Sequence, residues 1–197
     1  ERNQQNNLMC PARTWYGFRP KDNFKLEKPL LYCEVFETEL GWIAIVSSKK
    51  GVVRTSLPEL TPTSALDAVK PESDHAVHVY ERNTEIRALI AAYCAGESVD
   101  LSGIEIDVAG VSPFFKKAWE VCRTIPFGET RSYRWLAEKA GNISAARSAG
   151  QAMARNRLPL LVPCHRVVAS DGSLHGFGGD GLPLKSRLLA METRYSW

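Results

Sequence analysis

Leu160-Leu161-Val162-Pro163-Cys164-His165-Arg166-Val167-Val168 breaks an apolar, strand-like run at a proline, presents a thiol with an imidazole beside it, and then turns apolar again. A thiol is nucleophilic only as the thiolate, so a reactive cysteine needs cationic or hydrogen-bonding neighbours, and His165 and Arg166 are immediate candidates. Pro163 fixes its own φ and biases Val162 toward an extended conformation, which holds Cys164 on a defined corner. The plainer reading is a buried strand cysteine, because free cysteine is among the most buried residue types. On this stretch alone neither reading prevails.

Working outward, the stretch is preceded by Asn156 and Pro159 and followed by Gly176-Phe177-Gly178-Gly179 and Leu188-Leu189-Ala190-Met191-Glu192. Upstream stands a second block, Ile125-Pro126-Phe127-Gly128-Glu129-Thr130-Arg131-Ser132-Tyr133, then Ala140-Gly141-Asn142 and Ala145-Ala146-Arg147. Together these segments resemble the active site and DNA-binding segment of the O6-alkylguanine-DNA alkyltransferases, the methylated-DNA–protein-cysteine methyltransferases. The resemblance is specific in the C-terminal half and only a loose pattern in the N-terminal half. It implies an α+β chain: a small antiparallel-sheet, ribonuclease H-like domain over 30–110, then a mostly helical, winged helix-turn-helix-like domain over 111–197.

The charge is distributed to match. The 197 residues carry a formal net charge of only +3, but residues 1–110 hold 12 Lys and Arg against 16 Asp and Glu, and residues 111–197 hold 13 against 6. Basic charge thus gathers where the DNA-binding block lies, as a phosphate-contacting surface requires. An ordinary solvated basic face is the competing reading. Five widely spaced cysteines, an odd number, argue against a disulfide framework and for a reducing, intracellular location, in the nucleus or cytoplasm according to source. No transmembrane-length apolar run is present, and no membrane partner is expected.

In chain order, residues 1–29 read as an irregular, proline-punctuated arm. Strands are expected over 30–38, 41–48 and 52–57 as an antiparallel meander, a short helix over 64–69, and a loop over 71–78. Asn83 opens a helix through Ala95 with Ile86, Leu89, Ile90 and Tyr93 on one face, and Ile104 to Val108 alternates like a strand returning to the sheet. Beyond Gly110, Ser112-Pro113 opens a helix to about Thr124. Ser132 caps a helix to Lys139, and Ser144 caps another to about Arg155. These two short helices form a helix-turn-helix. A last helix, Leu184 to Glu192, turns Leu184, Leu188 and Met191 inward.

What the resemblance implies is specific. Cys164 accepts the alkyl group, His165 is the base, Glu192 orients the imidazole, and Asn156 braces the active-site turn. Tyr133 hydrogen-bonds the departing base. Because successive side chains of an extended segment face opposite ways, a direct Cys164–His165 contact is not expected, and in the family a water bridges the two. The alkylated base sits in a stack and must be rotated out, into a pocket of Met153, Pro159, Val167, Phe177 and Gly178. DNA contacts fall to Tyr133, Arg134, Asn142, Ala146, Arg147, Gly150 and Ser170. Arg147 fills the gap left by the extruded nucleotide, and its small neighbours Ala145, Ala146, Ala149, Gly150 and Ala152 let the helix approach the duplex.

Many members carry tyrosine where Phe177 stands, so a hydroxyl is lost there. Gly176, Gly178 and Gly179 are expected to leave room for a bulky adduct. No cofactor is needed, since nucleophile and leaving group are both built in. Some members bind zinc, but Cys10, Cys33, His75 and His78, the available set, lack any finger-like spacing, and no metal is expected.

The partner implied is double-stranded DNA carrying O6-alkylguanine, or O4-alkylthymine, met by a monomer that acts once. Three alternatives compete. A lesion-binding alkyltransferase-like protein lacks the acceptor cysteine, against Cys164. A helix-turn-helix regulator needs longer side chains than residues 144–155 supply. A cysteine hydrolase would turn over, whereas a transferase stops at one equivalent.

Overall fold

Four consecutive apolar residues, Ile43-Ala44-Ile45-Val46, leave no polar face for a strand to show to water, and in the computed structural model all four are fully buried. The structure describes residues 30–174, 177 and 181–194; the arm over 1–29, with Cys10, and the glycines at 176, 178 and 179 lie outside them. Strand β1 (Tyr32–Thr38) pairs antiparallel with β2 (Gly41–Ser47), Tyr32 opposite Ser47 and Thr38 opposite Gly41. β2 pairs antiparallel with β3 (Val52–Thr55). Gly41 has φ +133°, and a Cβ there would stand 2.6 Å from the Glu59 carbonyl oxygen, so the turn requires glycine.

The sheet is mixed rather than antiparallel throughout. Helix α1 (Pro62–Ala68) carries the chain across one face, and the returning two-residue strand β4 (Val77–His78) pairs parallel to β1, giving the order β3-β2-β1-β4. Two residues are too few for alternation to register, which is why 71–78 reads as loop. The cap of α1 is Thr61, whose side chain accepts from the Ser64 N–H in a capping box. The expected strand over 104–108 reduces to one bridge, Ile106 against Val52.

The two faces of the sheet meet two cores. Cys33, Ala44 and Val46 pack with Ala65 and Val69 on the side of α1. Phe36, Ile43, Ile45 and Val52 join the main cluster, which includes Ile90 and Tyr93 of α2 (Thr84–Cys94). Asn83 makes no side-chain cap bond to that helix; its amide donates to Ser47 Oγ instead. The buried Glu34 carboxylate accepts the Arg82 and Asn83 N–H groups, both at 3.0 Å. Leu89, expected on the inner face, is 36% exposed.

The main cluster runs on without a break into the second half, through Ala118, Trp119, Leu136, Met153 and Leu188. Ser112 caps α3 (Pro113–Cys122), and the buried Trp119 of that helix donates its indole N–H to the Ala152 carbonyl at 2.9 Å. Strand β5 (Arg131–Ser132) leads directly into α4 (Tyr133–Lys139), capped by Ser132. The next helix starts later than expected. Asn142, not Ser144, supplies the cap oxygen, to a 3-10 turn over Ile143–Ala145, and α5 spans Ala146–Ala154. An Asn side chain bonds readily to the N–H two residues on, and here that is Ser144 itself. Strand β6 (Val167–Val168) pairs parallel with β5, and α6 (Leu182–Arg194) closes the described chain with Leu184 and Leu188 buried.

Candidate active site

The turn that carries Cys164 is held by backbone geometry that few residues adopt. Leu160 has φ +70°, a left-handed conformation uncommon outside glycine and asparagine. It folds the chain so that the Val162 N–H reaches the Leu158 carbonyl at 2.8 Å. Thr55 at the end of β3 clamps the same loop, its N–H on the Arg157 carbonyl at 2.9 Å and its hydroxyl on the Pro159 carbonyl at 2.8 Å. After Pro163 the chain enters a 3-10 turn, Cys164–Arg166, rather than the extended course expected. Cys164 and His165 still diverge, because neighbouring residues of a 3-10 turn point about 120° apart.

Asn156 braces this corner through three bonds. Its amide donates to the Val162 carbonyl at 2.8 Å and to Cys164 Sγ at 3.1 Å, and its carbonyl accepts the Leu158 N–H at 2.9 Å. Burial pushes the Cys164 thiol above its ordinary value, while the Asn156 amide, the Lys185 ammonium and the backbone N–H groups of Cys164 and His165 favour the thiolate. The sulfur opens on a cavity of about 320 Å³ lined by Leu57, Tyr133, Met153, Ala154, Asn156, Pro159, Cys164 and Phe177. Val167, expected there, is instead fully buried in the main cluster as the first residue of β6. Leu57, which reaches the cavity from the N-terminal half, was not expected.

Behind the thiol lies a buried polar knot. His165 Nε2 stands 2.7 Å from Glu192 Oε1, and Arg166 forks onto both carboxylate oxygens through Nε at 3.2 and 3.0 Å and through Nη2 on Oε1 at 3.0 Å. Gly128 N–H reaches Oε2 at 3.1 Å. Arg166 therefore serves the carboxylate rather than the thiol. The Tyr93 hydroxyl donates to Oε1 at 2.6 Å and lies 3.1 Å from His165 Nε2. Burial alone would raise the Glu192 carboxyl, but its His165 and Arg166 partners bring it down to about 2. Burial lowers the His165 imidazole, with Glu192 pulling it back up in part. With Nε2 bonded to a carboxylate, the imidazole carries its hydrogen there, and Nδ1 is buried without a hydrogen-bond partner.

Lys185 is a second residue at the site with no expected role. It is fully buried, donates to the Val167 carbonyl at 2.7 Å, and its ammonium lies 5.8 Å from the Tyr133 ring centroid and 6.0 Å from that of Phe177. The signal was available: on α6 it stands between Leu184 and Leu188, on the inward stripe.

Arg134, Asn142, Arg147 and Ser170 are all exposed, the last two residues past Val168, which pairs with Ser132 at the entry to α4. Ala146 and Gly150 are half-buried on α5, and Gly150 lies under the Tyr133 ring. Ala149 and Ala152, however, are fully buried. They pack α5 onto the core, so the small outward surface narrows to Ala145, Ala146 and Gly150. In the N-terminal half, Cys33 is buried opposite the exposed His78, and His75 is exposed. Among the described residues no group of three or more His, Cys, Asp or Glu side chains is placed to hold a metal ion.

A buried thiol opening on a cavity, an imidazole–carboxylate pair at the next residue, and exposed arginines on α4 and α5 fit the class of DNA-binding proteins that carry a cysteine in such a cavity. Residues 113–194 match the family model for the 6-O-methylguanine DNA methyltransferase DNA-binding domain. A methylated-DNA–protein-cysteine methyltransferase of Mycobacterium leprae is 46% identical over 163 residues, covering 83% of this chain and 93% of that one. Another, of Mycolicibacterium paratuberculosis, is 47% identical over 107 residues, 54% of this chain and 63% of that one. The crystal structure of Mycobacterium tuberculosis O6-methylguanine methyltransferase superposes with a TM-score of 0.72 at 28% identity, covering 85% of this chain and 96% of that one. In complex with DNA, it superposes with a TM-score of 0.70 over 83% and 93%. The chain belongs to the methylated-DNA–protein-cysteine methyltransferases, enzymes of DNA repair.

Proposed function

We propose that this protein removes alkyl groups from the O6 of guanine, and from the O4 of thymine, in double-stranded DNA by one irreversible transfer to Cys164. The observation that carries this is the Cys164 sulfur facing the cavity, with the Asn156 amide 3.1 Å away and a neutral His165 beside it. His165 Nδ1 takes the thiol proton through a bridging water. The thiolate attacks the alkyl carbon; the S–C bond forms as the C–O6 bond breaks, and the bonding pair leaves on the base. The Tyr133 hydroxyl donates a hydrogen bond to the departing base, which ends protonated on N1 with the proton the thiol gave up. The resulting thioether has no route back to a thiol, so each molecule acts once.

The cavity takes the base only if the nucleotide leaves the stack. The reading therefore includes minor-groove binding by α4 and α5, base flipping, and Arg147 occupying the vacated space. It also takes residues 30–110 as a ribonuclease H-like unit and 111–194 as a winged helix-turn-helix-like unit acting as an intracellular monomer. The mixed strand order supports the first, and the α4–α5 pair with the β5–β6 ladder the second.

Incubation with excess duplex carrying labelled O6-methylguanine should give one equivalent of label per protein, all on the Cys164 peptide. Label on Cys94 or Cys122, or continued turnover, would sink the assignment. Arg147→Ala should slow repair in duplex at least about tenfold and leave reaction with the free alkylated base within about twofold, because flipping costs a few kcal/mol. Equal losses on both substrates would remove Arg147 from the flipping step.

A further inference from the structure

We infer that Tyr93 is a positioning residue for the transfer step, an extension that rests on the reading of His165 as the base. Tyr93 belongs to α2, in the N-terminal half, 72 residues from His165 and 99 from Glu192. It is 1% exposed, and its ring is fixed edge-on against Phe127, with centroids 6.1 Å apart and planes at 85°. A buried phenol needs a hydrogen-bond partner. This one finds two, and both belong to the reactive pair.

The geometry assigns direction to those bonds. Burial, then the Glu192 carboxylate, keeps the phenol protonated well beyond its ordinary value, so it is a standing donor. Its hydrogen goes to Glu192 Oε1 at 2.6 Å. The phenol oxygen then turns its lone pairs to His165 Nε2, 3.1 Å away. Nε2–H is thus held between the carboxylate oxygen and the phenol oxygen. Glu192 Oε1 also receives Arg166 Nη2 and shares Arg166 Nε with Oε2, and a single crowded acceptor would leave the imidazole free to tilt about it. Two acceptors at different angles fix the ring plane, and with it the direction of the unpartnered Nδ1. The packing role of Tyr93 needs only its ring; the positioning role needs its oxygen.

Tyr93→Phe separates the two, since it keeps the ring and its contact with Phe127. The rate of Cys164 alkylation is measured against the concentration of duplex carrying O6-methylguanine, which separates DNA affinity from the limiting rate of transfer. Tyr93→Phe should lower the limiting rate about tenfold, the loss expected of one hydrogen bond to a charged group. The apparent Kd for DNA should stay within about twofold, and the rate with free O6-methylguanine should fall by the same factor. Tyr93→3-fluorotyrosine keeps the hydroxyl and should keep the rate. An unchanged limiting rate in Tyr93→Phe, a parallel loss of DNA affinity, or a fluorotyrosine chain as slow as the phenylalanine one overturns the inference. Failure of the wild type to be alkylated at Cys164 would instead overturn the reading of the site itself.

Discussion

Cys164→Ala is expected to abolish alkyl transfer completely while preserving binding to duplex carrying O6-methylguanine. No other described thiol can stand in for it. Cys33, Cys94 and Cys122 are all buried. Burial lifts the first two to about 11, with the neighbouring Glu34 adding to the effect at Cys33, and lifts Cys122 well above its ordinary value. Each is therefore a protonated thiol, and none of the three lines the cavity that Cys164 opens on. Removing one sulfur from the edge of a cavity leaves α4, α5 and the exposed Arg134 and Arg147 in place. A gel-shift Kd within about threefold of wild type, with no mass gain after long incubation, is the expected pair of results. A slow mass gain on another peptide would mean that the pocket offers the alkyl group to a second nucleophile. The variant would act as a lesion-binding protein, which locates the difference between binding and repair in one atom.

Glu192→Gln is expected to cost about 3–5 kcal/mol of stability, the usual price of leaving one member of a buried ion pair without its partner. Arg166 would keep its bond to the Ile125 carbonyl but lose the carboxylate that its Nε and Nη2 share. The same group sets an acid limb. The Glu192 carboxyl is depressed from 4.5 to about 2 in the folded chain, so the stability it contributes is present above about pH 4.5 and is lost as pH falls toward 2. That shift corresponds to about 3 kcal/mol as an upper bound. His165 acts earlier and with the same sign. Its imidazole is lowered by burial, so the unfolded chain takes up a proton first, and stability starts to fall as pH drops below 6.5. Urea midpoints from pH 7.5 down to 3 should decline in two stages for the wild type. In Glu192→Gln the lower stage should flatten. A variant curve parallel to the wild type throughout would show that the acid limb belongs to other carboxylates.

Much of the chemistry was legible because it is local. Pro163, Cys164, His165 and Arg166 are contiguous, and Asn156 lies one short turn upstream. Glu192 is implied only by the family resemblance, and its place one turn beyond Leu188 agrees with its burial. The residues that escaped are those whose meaning depends on partners far along the chain. The apolar face of α2 announces that Tyr93 is buried, but not that its hydroxyl meets residues of two later elements. The small residues of α5 misled for a related reason: alanine suits both a tight helix–helix contact and a close approach to DNA. Ala149 and Ala152 took the first role. Strand β4 escaped because two residues show no alternation, and its parallel pairing comes only from the crossover through α1. The 3-10 turn at Cys164 escaped because Pro163 constrains the residue before it far more than the residues after it.

The clamp from Thr55 onto the loop at Arg157 and Pro159 bears on how such a chain can be inherited. A recombination product that kept residues 113–194 but replaced what precedes them would lose both Thr55 bonds to that loop. The newcomer would have to bring an edge strand ending in a hydroxyl donor, a leucine at the cavity wall and a tyrosine at the buried knot. Without those parts the cavity beside Cys164 would lack its Leu57 wall, and the His165–Glu192 pair would lack the Tyr93 hydroxyl.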